Sequence, residues 1–198
     1  MLIKKLINVL ADPLSLYYNT FMSSGYVPQV WKTAVVAPAY KKGSSSDPAN
    51  YRPISQTSVF CKLMERVIVG EMSNYLLSIG AISKHQHGFV AKRSTTTNLL
   101  ETLNDWILSI DNRLTQTVVC VDFARAFDSV PPDKLQIKLE AYGICGDLLS
   151  LIMDFLRNRT KVGYELSDPV ILTSGVVQGS CLGPLLFLIY INDVTQIF

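Results

Sequence analysis

The sequence predicts an α+β fold, and three observations carry that prediction. Two long stretches, 58–79 and 94–110, place apolar residues at helical spacing. Two short ones, 31–39 and 117–121, are β-branched and apolar runs of strand length. Loops marked by Gly, Ser, Asp and Pro separate these segments. With 48% of its 198 residues apolar, the chain can bury the core of one domain or one and a half.

Taken in order, residues 1–24 read as helix interrupted around Asp12-Pro13, because proline is tolerated chiefly in a first turn. Residues 31–39 read as a strand and 41–50 as a loop. Residues 51–56 are extended, since Arg52 precedes a proline and is pushed out of the helical region. The helix at 58–79 has apolar residues at 59, 60, 63, 67 and 68 and ends before Gly80. A second amphipathic helix at 94–110 would bury Leu99, Leu100, Leu103, Trp106 and Ile107. Residues 117–121 form a buried strand, followed by helices near 133–142 and 146–157. Two short strands, 161–166 and 170–173, flank a turn at Ser167-Asp168-Pro169. A last helix, 184–192, would pack behind the 117–121 strand.

The segment TVVCVDFARAFDSV, 117–130, is the most informative. It places Asp122 at or near the carboxyl end of a buried strand, where open α/β sheets hold ligands. A carboxylate there suits a metal ion; it equally suits a cap for the turn that follows. Asp128 precedes two prolines and an amphipathic pattern ending at Gly143, which favours a helix-start role over direct metal ligation.

The second informative segment is SGVVQGSCLGPLLFLIYINDV, 174–194. Glycines at 175, 179 and 183 do not have the dinucleotide-fingerprint spacing, and no Gly-Lys-Ser/Thr follows, so the Rossmann and P-loop readings both fail. What remains is a glycine turn carrying Gln178, then Pro184 near a helix start.

Together, VDFARAFD and VVQGSCLGPLLFLIYINDV strongly resemble the reverse transcriptases of non-LTR (LINE-type, jockey-like) retrotransposons. WKTAVVAPAYKKGSSSDPANYRPIS and QHGFVAKRSTTTNLLETLNDW match finger motifs of that family in the same order. Four collinear blocks from Trp31 to Val194 make the match specific. The resemblance implies a right-hand polymerase with a helical segment at 1–24, fingers at 25–115 and part of a palm at 116–198. It implies an RNA-directed DNA polymerase that adds dNTPs to a DNA primer on an RNA template by two-metal phosphoryl transfer, with Mg2+ as the ion. The family carries a further motif beyond INDV, an aromatic residue followed by Ala-Asp-Asp on a hairpin, and no Asp-Asp pair occurs in the 198 residues. The expectation is therefore fingers and the first part of a palm, with hairpin and thumb missing and the chain inactive in isolation. The alternative is a non-catalytic remnant that at most binds RNA or DNA.

The resemblance also assigns roles. Asp122 binds the catalytic metals, and the backbone carbonyl of Phe123 ligates the second. Phe127 matches the bulky aromatic beneath the incoming sugar, with core packing as its simpler explanation. Gln178 and Gly179 lie against the incoming nucleotide. Arg52 grips the triphosphate, for which guanidinium geometry is suited. Gly88 and Phe89 match a template or primer contact; Lys92 and Arg93 are a basic cluster that fits a nucleic-acid contact of the fingers and, as the default, an ordinary solvated face. Lys41 and Lys42 fit a phosphate contact and an ordinary surface loop equally well.

Net charge is only +2, so no global field advertises nucleic acid and local clusters must carry that case. The four cysteines, 61, 120, 145 and 181, form no CxxC, which argues against a zinc site or disulfide framework and for reduced thiols in an intracellular protein. His85 and His87 lack acidic neighbours at ligand spacing and read as a surface turn. The longest apolar run, 185–191, is far below the ~20 residues of a membrane helix, and no signal peptide is visible.

Overall fold

Most of the helices lay an apolar stripe against another element. The computed structural model describes residues 5–157, 160–162 and 170–196. Helix α1, Ile7–Ser24, runs through Pro13 without a break, contrary to the expected interruption. Its C-terminal half holds it in place: Tyr18, Phe21 and Met22 pack on the core, and the Tyr18 hydroxyl donates to the Phe60 carbonyl at 2.9 Å. Gly25 ends it at φ 62°, the left-handed conformation that glycine adopts without steric cost.

The one-turn helix α2, Gln29–Lys32, aims Lys32 inward. Its ammonium lies 2.9 Å from Asp154, and that same carboxylate accepts the Val27 N–H at 2.7 Å. Such a buried pair fixes geometry more than it adds stability, but loss of either partner strands a charge.

Strand β1, Thr33–Tyr40, pairs antiparallel with β2, Tyr51–Gln56, in a register running from Val35 opposite Gln56 to Tyr40 opposite Tyr51. β1 also pairs parallel with β3, Thr160–Val162, and β3 pairs antiparallel with β4, Val170–Ile171, giving the order β2-β1-β3-β4. The expected turn at 167–169 lies outside the described residues.

Helix α3, Val59–Ser78, buries Cys61, Met64, Glu65, Ile68, Met72 and Leu76. Of the apolar positions that marked its helical spacing, Ile68 is buried, Phe60 and Leu63 are half-buried, and Val59 and Val67 are exposed. Apolar residues surround this helix on more than one side, so its neighbours choose the buried face. Helix α4, Thr95–Asp111, has a capping box in which Ser94 and Thr97 each accept the other's backbone N–H, satisfying two of the free donors of the first turn. The helix forms as expected, yet no residue of it is buried, and Leu99, Leu100, Leu103, Trp106 and Ile107 stay exposed. Periodicity reports an apolar stripe, not the presence of something to cover it.

Helices α5, Pro132–Ala141, α6, Gly146–Arg157, and α7, Gly183–Ile191, build the core with α3. α6 packs between α1 and α5, and α5 also meets α7. Leu135, Leu139, Leu151, Ile152, Phe155, Leu182 and Leu186 form its driest part. No helix among the described residues is long and apolar enough to cross a membrane.

The principal correction concerns 117–121. This run is not a strand, and Val118, Val119, Cys120 and Val121 are exposed. A strand needs neighbours for its backbone N–H and C=O groups, and no described strand pairs with it. The last helix accordingly packs on α5 rather than behind a strand bearing Asp122.

Candidate functional site

The 122–128 turn starts from residues that no ladder holds, so its shape comes from local and tertiary hydrogen bonds. Asp128 N–H and Ser129 N–H both donate to the Arg125 carbonyl, at 2.9 and 3.1 Å, and Arg125 takes φ +52°. A non-glycine residue in that region is uncommon and persists only where surroundings impose it. The imposing partner is the 174–178 segment. Val176 N–H donates to the Phe127 carbonyl and Gly175 N–H to the Val130 carbonyl, both at 2.8 Å. Gly175, at φ +89°, lies so close that a Cβ there would come within 2.8 Å of Asp128 Cα and the Phe127 carbonyl.

On its other side the same glycine turn meets β2. Ser55 N–H donates to the Gln178 carbonyl at 2.7 Å. Gly179, at φ +101°, would place a Cβ 2.5 Å from the Ser55 carbonyl oxygen. Only a residue without a side chain permits that approach.

These contacts enclose an open cleft of about 1380 Å³. One wall is the β1–β2 hairpin with Arg52, Tyr51 and Lys41; the other is the 122–128 turn; Gln178, Phe187 and Phe89 complete it. Arg52 is exposed, faces Ala39 across the strand pair, and has no ion-pair partner among the described residues. Asp122 is exposed, and no described side chain or backbone group bonds its carboxyl group, so it does not act as a cap. Asp128 does not start α5 either. Pro131 and Pro132 open that helix with no side-chain cap, since proline has no N–H to satisfy, and Asp128 instead accepts the Gln178 amide at 2.8 Å.

Phe127 is half-buried and stands edge-on to Phe187, ring centres 4.8 Å apart, with Phe89 tilted over it at 5.9 Å. Phe89 reaches it from φ +59°. Of the sequence-based candidates, Arg52, Asp122, Phe123, Phe127, Gln178 and Phe89 line one cleft, and Gly179 supports it from behind. Gly88, Lys92 and Arg93 are not among its lining residues. Lys92 is exposed at φ +64°. The Arg93 guanidinium donates through Nη1 to the carbonyls of Lys84 and Gln86, the latter at 2.9 Å, which commits that arm of its fork to its own loop. The Gly88 carbonyl accepts the Gln86 amide at 3.0 Å.

The surface-turn reading holds for His85, which is exposed in a turn, and fails for His87, which is buried. His85 Nδ1 lies 2.6 Å from one Glu101 oxygen and His87 Nε2 2.7 Å from the other, with His87 Nδ1 2.9 Å from the Thr97 hydroxyl. Hydrogen bonds from His85 and then His87 hold the Glu101 carboxyl below its ordinary range. Glu101 sits on α4, beyond any local spacing rule, so nothing in the 85–87 segment announces it. Arg125, Phe187 and buried Glu65 were likewise not singled out by sequence. Arg125 and Phe187 line the cleft, and Glu65 bonds the glycine turn.

As a metal donor set the cleft offers the Asp122 carboxyl group and the neighbouring Phe123 carbonyl. Among the described residues no three His, Cys, Asp or Glu side chains gather to hold an ion by themselves. Magnesium, however, commonly takes one or two carboxylates, keeps waters, and completes its shell with substrate phosphates. The residues fit one ion that arrives with a triphosphate.

Residues 40–198 match the reverse transcriptase (RNA-dependent DNA polymerase) family. The chain is 30% identical over 188 residues to the probable RNA-directed DNA polymerase from transposon BS of Drosophila melanogaster, covering 91% of this chain and 20% of that protein. It is 31% identical over 186 residues to the RNA-directed DNA polymerase from mobile element jockey of the same fly, with coverages of 91% and 20%. To the retrovirus-related Pol polyprotein from type-1 retrotransposable element R2 of Popillia japonica it is 29% identical over 170 residues, covering 82% of this chain and 23% of that one. The chain thus spans about a fifth of the length of the curated relatives it matches.

Proposed function

The chain belongs to the reverse transcriptase (RNA-dependent DNA polymerase) family, and from that premise we propose that its cleft is the incoming-nucleotide pocket of a non-LTR retrotransposon polymerase. The reaction is addition of a dNTP to a DNA primer on an RNA template. The observation that carries the reading is convergence: Arg52, Asp122, Phe127 and Gln178, distant in sequence, open on one cleft.

Each residue then has work suited to its chemistry. Arg52 holds the triphosphate through its planar fork. Phe127, steadied edge-on by Phe187, lies under the sugar, where its ring leaves no space for a ribose 2′-hydroxyl. Gln178 and Gly179 bring backbone close to the nucleotide. Asp122, with the Phe123 carbonyl, would hold Mg2+, which supplies charge neutralisation at the phosphates when bound; a second ion belongs to the same proposal. Phe89, Gly88, Lys92 and Arg93 serve the template–primer side. In this reading 25–115 are fingers and 116–198 belong to the palm. The setting is intracellular.

The test is magnesium-dependent binding of a fluorescent dATP analogue in the presence of an RNA–DNA template–primer. Wild-type chain should retain the analogue more tightly with magnesium and with a complementary template base. Asp122→Asn should remove most of the magnesium dependence. Unchanged magnesium dependence in Asp122→Asn would overturn the assignment.

A further inference from the structure

Glu65 is a buried acid that the proposed chemistry does not use. It lies on α3, 1% exposed. Its Oε2 accepts the backbone N–H of Cys181 at 2.6 Å and of Leu182 at 3.0 Å, while the Cys61 thiol approaches Oε1 at 3.5 Å. Burying a carboxyl group is unfavourable unless its oxygens are well bonded, and here Oε2 is spent on the far side of the Gln178–Gly179 turn.

That turn depends on bonds to its surroundings, and at its 181–182 end the acceptor is Glu65. Gly175 and Gly179 both hold left-handed backbone, which costs more chain entropy in glycine than in other residues. Within it, Ser180 bridges the Val177 carbonyl and the Gly183 N–H. The rest of its anchoring is external: the Phe127 and Val130 carbonyls and the Asp128 carboxylate toward the 122–130 segment, Ser55 on β2, and Glu65 behind. β2, which supplies Ser55, also carries Arg52, and the Gln178 amide bonds Asp128. A shift of the turn would therefore reach both walls of the cleft.

We propose that Glu65 is a positioning residue for the incoming nucleotide, acting through the Cys181 and Leu182 amides to hold the Gln178–Gly179 turn against β2. The inference rests on the nucleotide-site reading above. Glu65 touches no substrate. What it supplies is an acceptor at one place, so a glutamine should replace it, with its carbonyl taking the place of Oε2, whereas an apolar side chain of similar size should not.

The experiment compares wild type, Glu65→Gln, Glu65→Met and Leu76→Val, the last a mild loss of packing elsewhere on α3, where Leu76 is 1% exposed. Two readouts are taken on each: the Kd of the fluorescent dATP analogue with magnesium, and amide hydrogen exchange over residues 176–183. Glu65→Met should raise Kd about tenfold and speed exchange in that segment, an effect one unsatisfied buried donor is large enough to produce. Glu65→Gln should restore both, and Leu76→Val should change neither. Faster exchange in 176–183 with unchanged Kd overturns the role of Glu65 while leaving the nucleotide site standing. A rise in Kd that Leu76→Val reproduces at equal loss of stability also overturns it, since that is what general destabilisation would do. If wild type binds no nucleotide, the site reading falls and the role with it, and the exchange data identify that case because Glu65→Met still loosens the turn. Should Glu65→Met fail to fold, Glu65→Asp, which withdraws the acceptor by one methylene, carries the same comparison.

Discussion

Gly179→Ala tests the geometry of the cleft without touching a chemical group. The new Cβ would sit 2.5 Å from the Ser55 carbonyl oxygen at a residue with φ +101°. An alanine held at such a φ costs about 1–3 kcal/mol. Overpacking against a backbone atom that cannot rotate away adds about 1–3 kcal/mol, so the loss should be about 2–6 kcal/mol, a large part of the stability of an ordinary domain. With a urea slope of about 2 kcal/mol/M, the unfolding midpoint should fall by about 1–3 M. Gly70→Ala is the paired control. Gly70 lies mid-helix in α3 with nothing within 4 Å of an added Cβ, and it should gain roughly 0.5–1 kcal/mol from helix propensity. If folded Gly179→Ala keeps the wild-type midpoint, the turn does not press on β2 as described, and the account of the cleft fails.

Arg52→Ala should weaken binding of the dATP analogue at any magnesium concentration while leaving stability within about 0.5 kcal/mol, because the residue is exposed and has no ion-pair partner among the described residues; equal affinity in isothermal titration would reduce Arg52 to a surface residue. Phe127→Val should narrow the preference for deoxy- over ribonucleotide analogues and cost about 1–3 kcal/mol from lost ring contacts with Phe187 and Phe89. Lost stability with an unchanged preference would leave core packing as its whole role. Glu101 predicts a pH dependence. Its folded pKa lies below the ordinary 4.5 because His85 and His87 bond it. A depressed carboxyl group stabilises the fold above the unfolded value, and that contribution is lost as pH falls through the folded one. Acid titration followed by circular dichroism should therefore show a shallower loss of stability below pH 4.5 for Glu101→Gln than for wild type. Superimposable titrations would show that the histidine clasp contributes nothing to folding.

The sequence alone was enough to draw most helices. The stripes of α3 and α4, the prolines before α5 and the glycines after α1 and α3 are local signals, and local signals specify local conformation. It was also enough for the family, because four motif blocks occur in order along one chain. It could not say which helix faces would be covered. α3 buries Met64 and Met72 rather than Val59 and Val67, and α4 leaves Trp106 and its neighbours exposed, because burial belongs to a pair of surfaces and a sequence shows one at a time.

The tertiary structure alone decided three further matters. Valines 118, 119 and 121 stay outside any sheet, because strand propensity becomes a strand only when a neighbour takes its hydrogen bonds. Pro13 stays inside a continuous helix because Tyr18, Phe21 and Met22 beyond it are packed on the core. Around the cleft, sequence motifs supplied Arg52, Asp122, Phe127 and Gln178, but the clips that shape it join distant residues: Ser55 to Gln178, Gln178 to Asp128, Glu65 to Cys181 and Leu182. A hydrogen bond across a hundred residues leaves no period in the chain, and only folding brings its two ends within reach.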